Sequence, residues 1–197
     1  MKTGTEMSAS TQPRTRSSVY DGAFGLTVIE LLIIIAALAV VILIAVPTSS
    51  KLLHNYRLKS ASTDLVNGLN LARSEALRRA STVRVCPSLN GRFCRSDGDW
   101  SQGWLVYTDG NGDGAVQEIE LIQAFEGPEG DVEVVARGAA AKAASFTTAG
   151  LAPTEDGESG EIILCYRDSS VDSRSIFIDA EGWVSLTTSA PGACQSG

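Results

Sequence analysis

Residues 31 to 46 read LLIIIAALAVVILIAV, sixteen consecutive positions without a polar side chain. No water-soluble core needs a segment so uniformly apolar, and lipid is the solvent it suits. Extended back to Leu26, the run has 21 residues. At about 1.5 Å per residue such a helix is roughly 31 Å long, the hydrocarbon thickness of a bilayer. The run is longer than the apolar core of an ordinary secretory signal, and residues 1–25 before it are polar, rich in Ser and Thr, and carry Lys2, Arg14 and Arg16. They read as a targeting leader and are set apart from the fold.

The remainder of the composition narrows the field. Sixteen basic against 23 acidic residues give a net charge of -7, which disfavours broad phosphate neutralisation of nucleic acid. His54 is the one histidine in the chain, too few for a histidine-based metal centre or a Ser-His-Asp triad. Arg14 and Arg16 before the span nearly balance Lys51, Arg57 and Lys59 after it, so flanking charge does not orient it. The cysteines do better. Cys86, Cys94, Cys165 and Cys194 all follow the span, with no CxxC pair, which points to disulfides in an oxidising compartment. Three pairings exist; sequence distance favours Cys86 with Cys94 and Cys165 with Cys194.

Glu30 stands near the start of the apolar run, and an ionisable group at membrane depth is costly enough to demand a function. Its neighbours are more specific still. Gly25 to Leu32 read G-LTVIELL, which resembles the class III leader junction of type IV pilins and pseudopilins. The resemblance implies cleavage by a prepilin peptidase between Gly25 and Leu26, followed by N-methylation of Leu26. In that register Glu30 is fifth in the mature chain and Pro47 twenty-second, both typical of the family, while Leu26 stands where the family usually has Phe. Glu30 would then be the assembly charge, neutralising the methylated amine of a neighbouring subunit where water is excluded. Pro47 cannot donate a helix hydrogen bond and predicts a kink or local melting.

After Pro47 the apolar residues Leu58, Ala61, Leu65, Leu69, Ala72, Ala76 and Ala80 recur every three or four positions, the stripe of an amphipathic helix over 47–81. From Thr82 on, short runs alternate with turns: 82–86, 103–108, 118–125, 131–136, 161–167, 175–179 and 183–188. These predict strands. The expected fold is α+β and pilin-like, a long N-terminal helix packed on an antiparallel sheet, with residues 82–197 as a disulfide-containing head of one domain. Residues 51–84 carry seven basic against two acidic residues (+5), and residues 85–197 six against eighteen (-12). The helix is basic and the head acidic.

The order of cysteine, tryptophan and Gly-rich hairpin in residues 84–114 resembles the FimT/FimU minor pilins and the GspH minor pseudopilins. That resemblance implies a bacterial inner-membrane protein with a periplasmic head. Its partners would be other minor pilins or pseudopilins, the major pilin, the prepilin peptidase and the inner-membrane assembly platform. Its role would be priming and incorporation near the tip of a type IV pilus. The alternatives are the H-type minor pseudopilin of a type II secretion system and a DNA-binding minor pilin for transformation.

Three other patterns were weighed. Asp109, Asn111, Asp113, Gly114 and Glu120 match the calcium-loop spacing D-x-[DN]-x-[DN]-G-x5-E, although strands rather than helices flank it and Asp/Asn/Gly also suit a long hairpin turn. Beyond calcium no cofactor is expected. Some FimT proteins carry a GRxR-type DNA-binding motif; here the corresponding stretch is Gly182, Trp183, Val184, Ser185, without either arginine, which leaves Arg174 and Trp183 as a weak surface. The carboxylates Glu155, Asp156, Glu158 and Glu161 sit in a Gly-rich acidic stretch that reads as a solvated face. No nucleophile has a base partner in the pattern, and an enzyme is not expected.

Overall fold

A computed structural model describes residues 25, 27–153, 159–167, 171–191 and 193–195, with side chains described for all of these except 43–50 and 195. Helix α1 runs Val28–Arg79, 52 residues. The chain divides into two compact units, Met1–Leu43 and Ile44–Gly197.

In the first unit, the helix has no polar stripe. The large apolar side chains from Val28 to Ile42 are exposed on every side, between 43% and 77%. A helix apolar all round requires lipid or other helices as its surroundings. Among the described residues no helical stretch is long and apolar enough to cross a membrane. The apolar run extends past them at Leu26 and at the side chains of 43–46. Helical pairing continues through Pro47, whose side chain lies outside the described residues.

The second unit is built on the opposite pattern, a helix apolar along one stripe. Leu58, Ala61, Leu65, Leu69, Ala72 and Ala76 are each at most 5% exposed. Ala80, expected on the same stripe, lies past the helix end and is exposed. It adopts φ +48°, and the Ser81 N–H closes the terminus on the Ala76 carbonyl at 3.3 Å. This is the left-handed ending that glycine usually supplies.

Eight strands follow: β1 Val83–Pro87, β2 Gly103–Thr108, β3 Leu121–Glu126, β4 Val132–Arg137, β5 Ala144–Phe146, β6 Gly160–Tyr166, β7 Ser173–Ile178 and β8 Val184–Ser189. Seven strands in one sheet are expected from the sequence; the described residues form eight, in two four-stranded antiparallel sheets ordered β3-β2-β1-β5 and β4-β6-β7-β8. Strand β5 is three residues long in an Ala-rich stretch, too short to show alternation. The expected strand 118–125 begins only at Leu121 because residues 118–120 form a turn, with the Glu120 N–H on the Gln117 carbonyl.

Period-two alternation sends Val83 and Val85 of β1 inward, and likewise Val132 and Val134 of β4, Ile162 and Leu164 of β6, and Ile176 and Ile178 of β7. Together with the helix stripe these form one core, so α1 lies on both sheets. At Gly68 an added Cβ would meet the Trp104 indole Nε1 at 3.0 Å. A mid-helix glycine costs about 0.5–1 kcal/mol relative to alanine, and here it makes room for a fully buried tryptophan. A smaller cluster of Cys86, Leu105 and Tyr107 covers the other face of the first sheet.

Candidate assembly site

At the start of α1, Thr27 precedes the first helical residue and its Oγ1 accepts the Glu30 N–H at 3.3 Å, while its carbonyl accepts the Leu31 N–H at 3.1 Å. Thr27 is thus the N-cap and Glu30 the third helical residue, the T-x-x-E pattern of a capping box. The Glu30 carboxylate sits in the first turn, where the helix dipole favours negative charge, and it is exposed. Gly25 is exposed and lies outside the helix; Leu26 lies outside the described residues. The arrangement leaves the Glu30 carboxylate open to a cation from another chain.

In the head, Cys86 is joined to Cys94 and Cys165 to Cys194. The first bridge closes the loop that follows β1. The second ties the C-terminal turn to β6, where Arg137 also donates to the Ala193 carbonyl at 3.4 Å. No free cysteine remains.

The calcium-loop residues take other partners. Asp109 is 5% exposed, accepting the Gly114 N–H and lying 3.3 Å from the Arg84 guanidinium. Asp113 accepts from Asn111 and the Ala115 N–H, and Glu120 accepts the Gln117 N–H. These are the hydrogen bonds of a self-satisfied turn. Among the described residues no three His, Cys, Asp or Glu side chains are gathered for a metal ion. A calcium loop and a turn of this kind both place short oxygen acceptors at alternate positions.

Nor do Arg174 and Trp183 form a pair. Trp183 lies under the Arg73 guanidinium of α1 at 4.3 Å, and Arg73 donates to the Gly150 and Glu181 carbonyls at 3.1 Å each. Arg174 donates instead to Thr188 Oγ1 at 2.6 Å. Nothing in the local sequence marks Arg73, because its partners lie 77 and 108 positions along the chain. His54 stacks on Tyr166 with ring centroids 3.8 Å apart, and Arg57 donates to the Tyr166 hydroxyl at 3.4 Å. Glu155, Asp156 and Glu158 lie outside the described residues; Glu161 is half-buried in β6.

The sequence family described as "Type II transport protein GspH" matches residues 61–182, more than half of the chain. The chain belongs to the GspH family. The matched segment of this GspH-family member runs from the helix stripe through β7. Its fold is similar to the crystal structure of the type IV minor pilin FimU of Pseudomonas aeruginosa, at 19% identity and a TM-score of 0.54, covering 71% of this chain and 96% of FimU. A second crystal form of FimU gives a TM-score of 0.50 at the same identity, covering 69% and 98%. The minor pseudopilin EpsH of the Vibrio cholerae type 2 secretion system aligns at 9% identity and a TM-score of 0.49, covering 67% and 97%. No functionally curated protein matches the chain. The GspH/FimU fold, a long helix on antiparallel sheets, is therefore the frame on which the exposed Glu30 and the disulfide-closed head are carried.

Proposed function

We propose that this GspH-family chain is a minor pilin of the FimU/FimT kind, which helps prime a type IV pilus and is incorporated near its tip. The observation that carries the reading is the junction G-LTVIELL running into an unbroken apolar helix. Prepilin peptidase would cut between Gly25 and Leu26, and Leu26 would be N-methylated. Residues 26–46 would store the subunit in the bacterial inner membrane and later pack in the filament core, with Pro47 as a helix kink. Residues 47–81 would carry the helix into a periplasmic head, 82–197, whose two disulfides suit that oxidising compartment. The exposed, capped Glu30 would accept the Leu26 amine of a neighbour during docking on the assembly platform, beside the major pilin and other minor pilins.

A second reading, the H-type minor pseudopilin of a type II secretion system, is favoured by the description of the matching family. DNA capture draws little support from a head whose residues 85–197 carry a net charge of -12 and whose Trp183 is already engaged with Arg73. The chain acts by assembly rather than catalysis.

The test is the amount of major pilin sheared from cells lacking the protein, compared with wild type and with strains complemented by the native gene or by Glu30→Ala. Loss of pili restored by the native gene is expected. Glu30→Ala should insert in the membrane normally yet restore poorly. Unchanged pili together with a secretion defect would transfer the protein to the second machine.

A further inference from the structure

A sheet edge presents unpaired backbone groups and invites added strands, so natural proteins protect it with bulges, charges, proline, short length or a covering segment. Three of the four edges in this head are protected. At the β3 edge the register shifts between Val106 and Tyr107, and the disulfide-closed loop leans on it so tightly that a Cβ at Gly91 would meet the Ala124 Cβ at 3.0 Å. Edge strand β5 has three residues. On β4 the outward Val134 N–H is bound by Ser101 Oγ at 2.9 Å, and Glu133 and Arg137 add charge.

Among the described residues, strand β8 has none of these devices. Its sequence, VSLTTS, contains no charge and no proline, it is six residues long, and it pairs with β7 in unbroken register. Four of its residues are exposed, and among the described residues 184–189 make no backbone hydrogen bond beyond the β7 ladder. Leu186, opposite the core residue Ile176, is nevertheless 43% exposed, and the adjoining Trp183 is 65% exposed. The fold holds open an uncharged, partly β-branched edge with an apolar shelf beside it.

We propose that β8 is a docking edge at which another protein chain adds an extended, acidic strand to the β4-β6-β7-β8 sheet. Strand addition uses main-chain hydrogen bonds for affinity and alternate side chains for specificity. The acidic character follows from the two guanidinium groups that flank the edge. Arg73 and Arg174 bind neutral acceptors only, carbonyls and a hydroxyl, and Arg174 Nε is buried with no partner among the described residues. Neither forms an ion pair there, so a carboxylate on the incoming strand meets a cation awaiting charge complement. A second copy of β8 does not supply it, since residues 182–197 contain no charged side chain. The proposed occupant is a different chain, and an adduct with a second copy is the outcome that would exclude it. The inference is independent of which machine the subunit serves.

The test uses the full-length chain in its own cells, with the photocrosslinker p-benzoylphenylalanine replacing Leu186 or, as a control, Ile119, which is 90% exposed in a turn. The expected result is an adduct from position 186 that is absent from position 119. Its partner peptide, identified by mass spectrometry, should alternate apolar and polar residues and contain Asp or Glu. A synthetic copy of that peptide should bind the purified full chain in detergent, at least tenfold more weakly after Ser185→Glu or Thr187→Glu, which set a like charge against it, and more weakly after Arg174→Gln. Both glutamate changes lie at exposed positions, and each checks the other should one impair folding. Equal adducts at 186 and 119, an adduct only with a second copy, a nuclease-sensitive adduct, or peptide binding indifferent to both glutamates would each overturn the proposal.

Discussion

Ala80 holds φ +48° at the end of α1, a conformation that an L side chain adopts at a cost of roughly 1–2 kcal/mol and glycine adopts freely. Ala80→Gly should therefore stabilise the chain by about 1 kcal/mol, read as a rise of about 2–4 °C in the melting temperature in detergent. One turn earlier, Glu75 accepts hydrogen bonds from Arg78 and Arg79, which hold its carboxyl down at about 2 from an ordinary value of 4.5. A depressed carboxyl stabilises the fold above its unfolded value and stops doing so as pH falls through the folded one. Stability should thus decline between pH 4.5 and 2 in wild type and less so in Glu75→Gln, as measured by denaturant unfolding at several pH values. The difference should not exceed about 1 kcal/mol, because both guanidinium groups face solvent.

Two halves of one helix carry different patterns. Along Val28–Ile42 the apolar side chains face every direction, whereas beyond His54 they gather on one stripe under the two sheets. Leu65 is fully buried in that stripe and Leu52 is 73% exposed. Leu65→Ala should destabilise the head by about 2–5 kcal/mol, and Leu52→Ala by less than about 0.5 kcal/mol, in the same unfolding assay. The stripe was legible because a period of 3.6 is written in local sequence. The division into two sheets was not, since alternation says which residues face a core and nothing about which edge each strand joins.

For the whole molecule the disulfides set how much chain is tethered. Cys165–Cys194 closes a separation of 29 residues and Cys86–Cys94 one of 8. Loop-closure entropy grows with the logarithm of length, so replacing the first pair by serine should cost about 3–4 kcal/mol and the second about 2–3, compared by denaturation under oxidising conditions. By itself the sequence determined the apolar stretch of the helix, the α+β class, and most strand positions, because each is set by neighbours within a few residues. Tertiary structure alone decided the rest. It turned the Asp109–Glu120 pattern into a turn satisfied by its own amides and Arg84, brought Arg73 rather than Arg174 onto Trp183, and left β8 as the unprotected edge. Those outcomes depend on contacts between residues far apart in the chain, which no local period encodes.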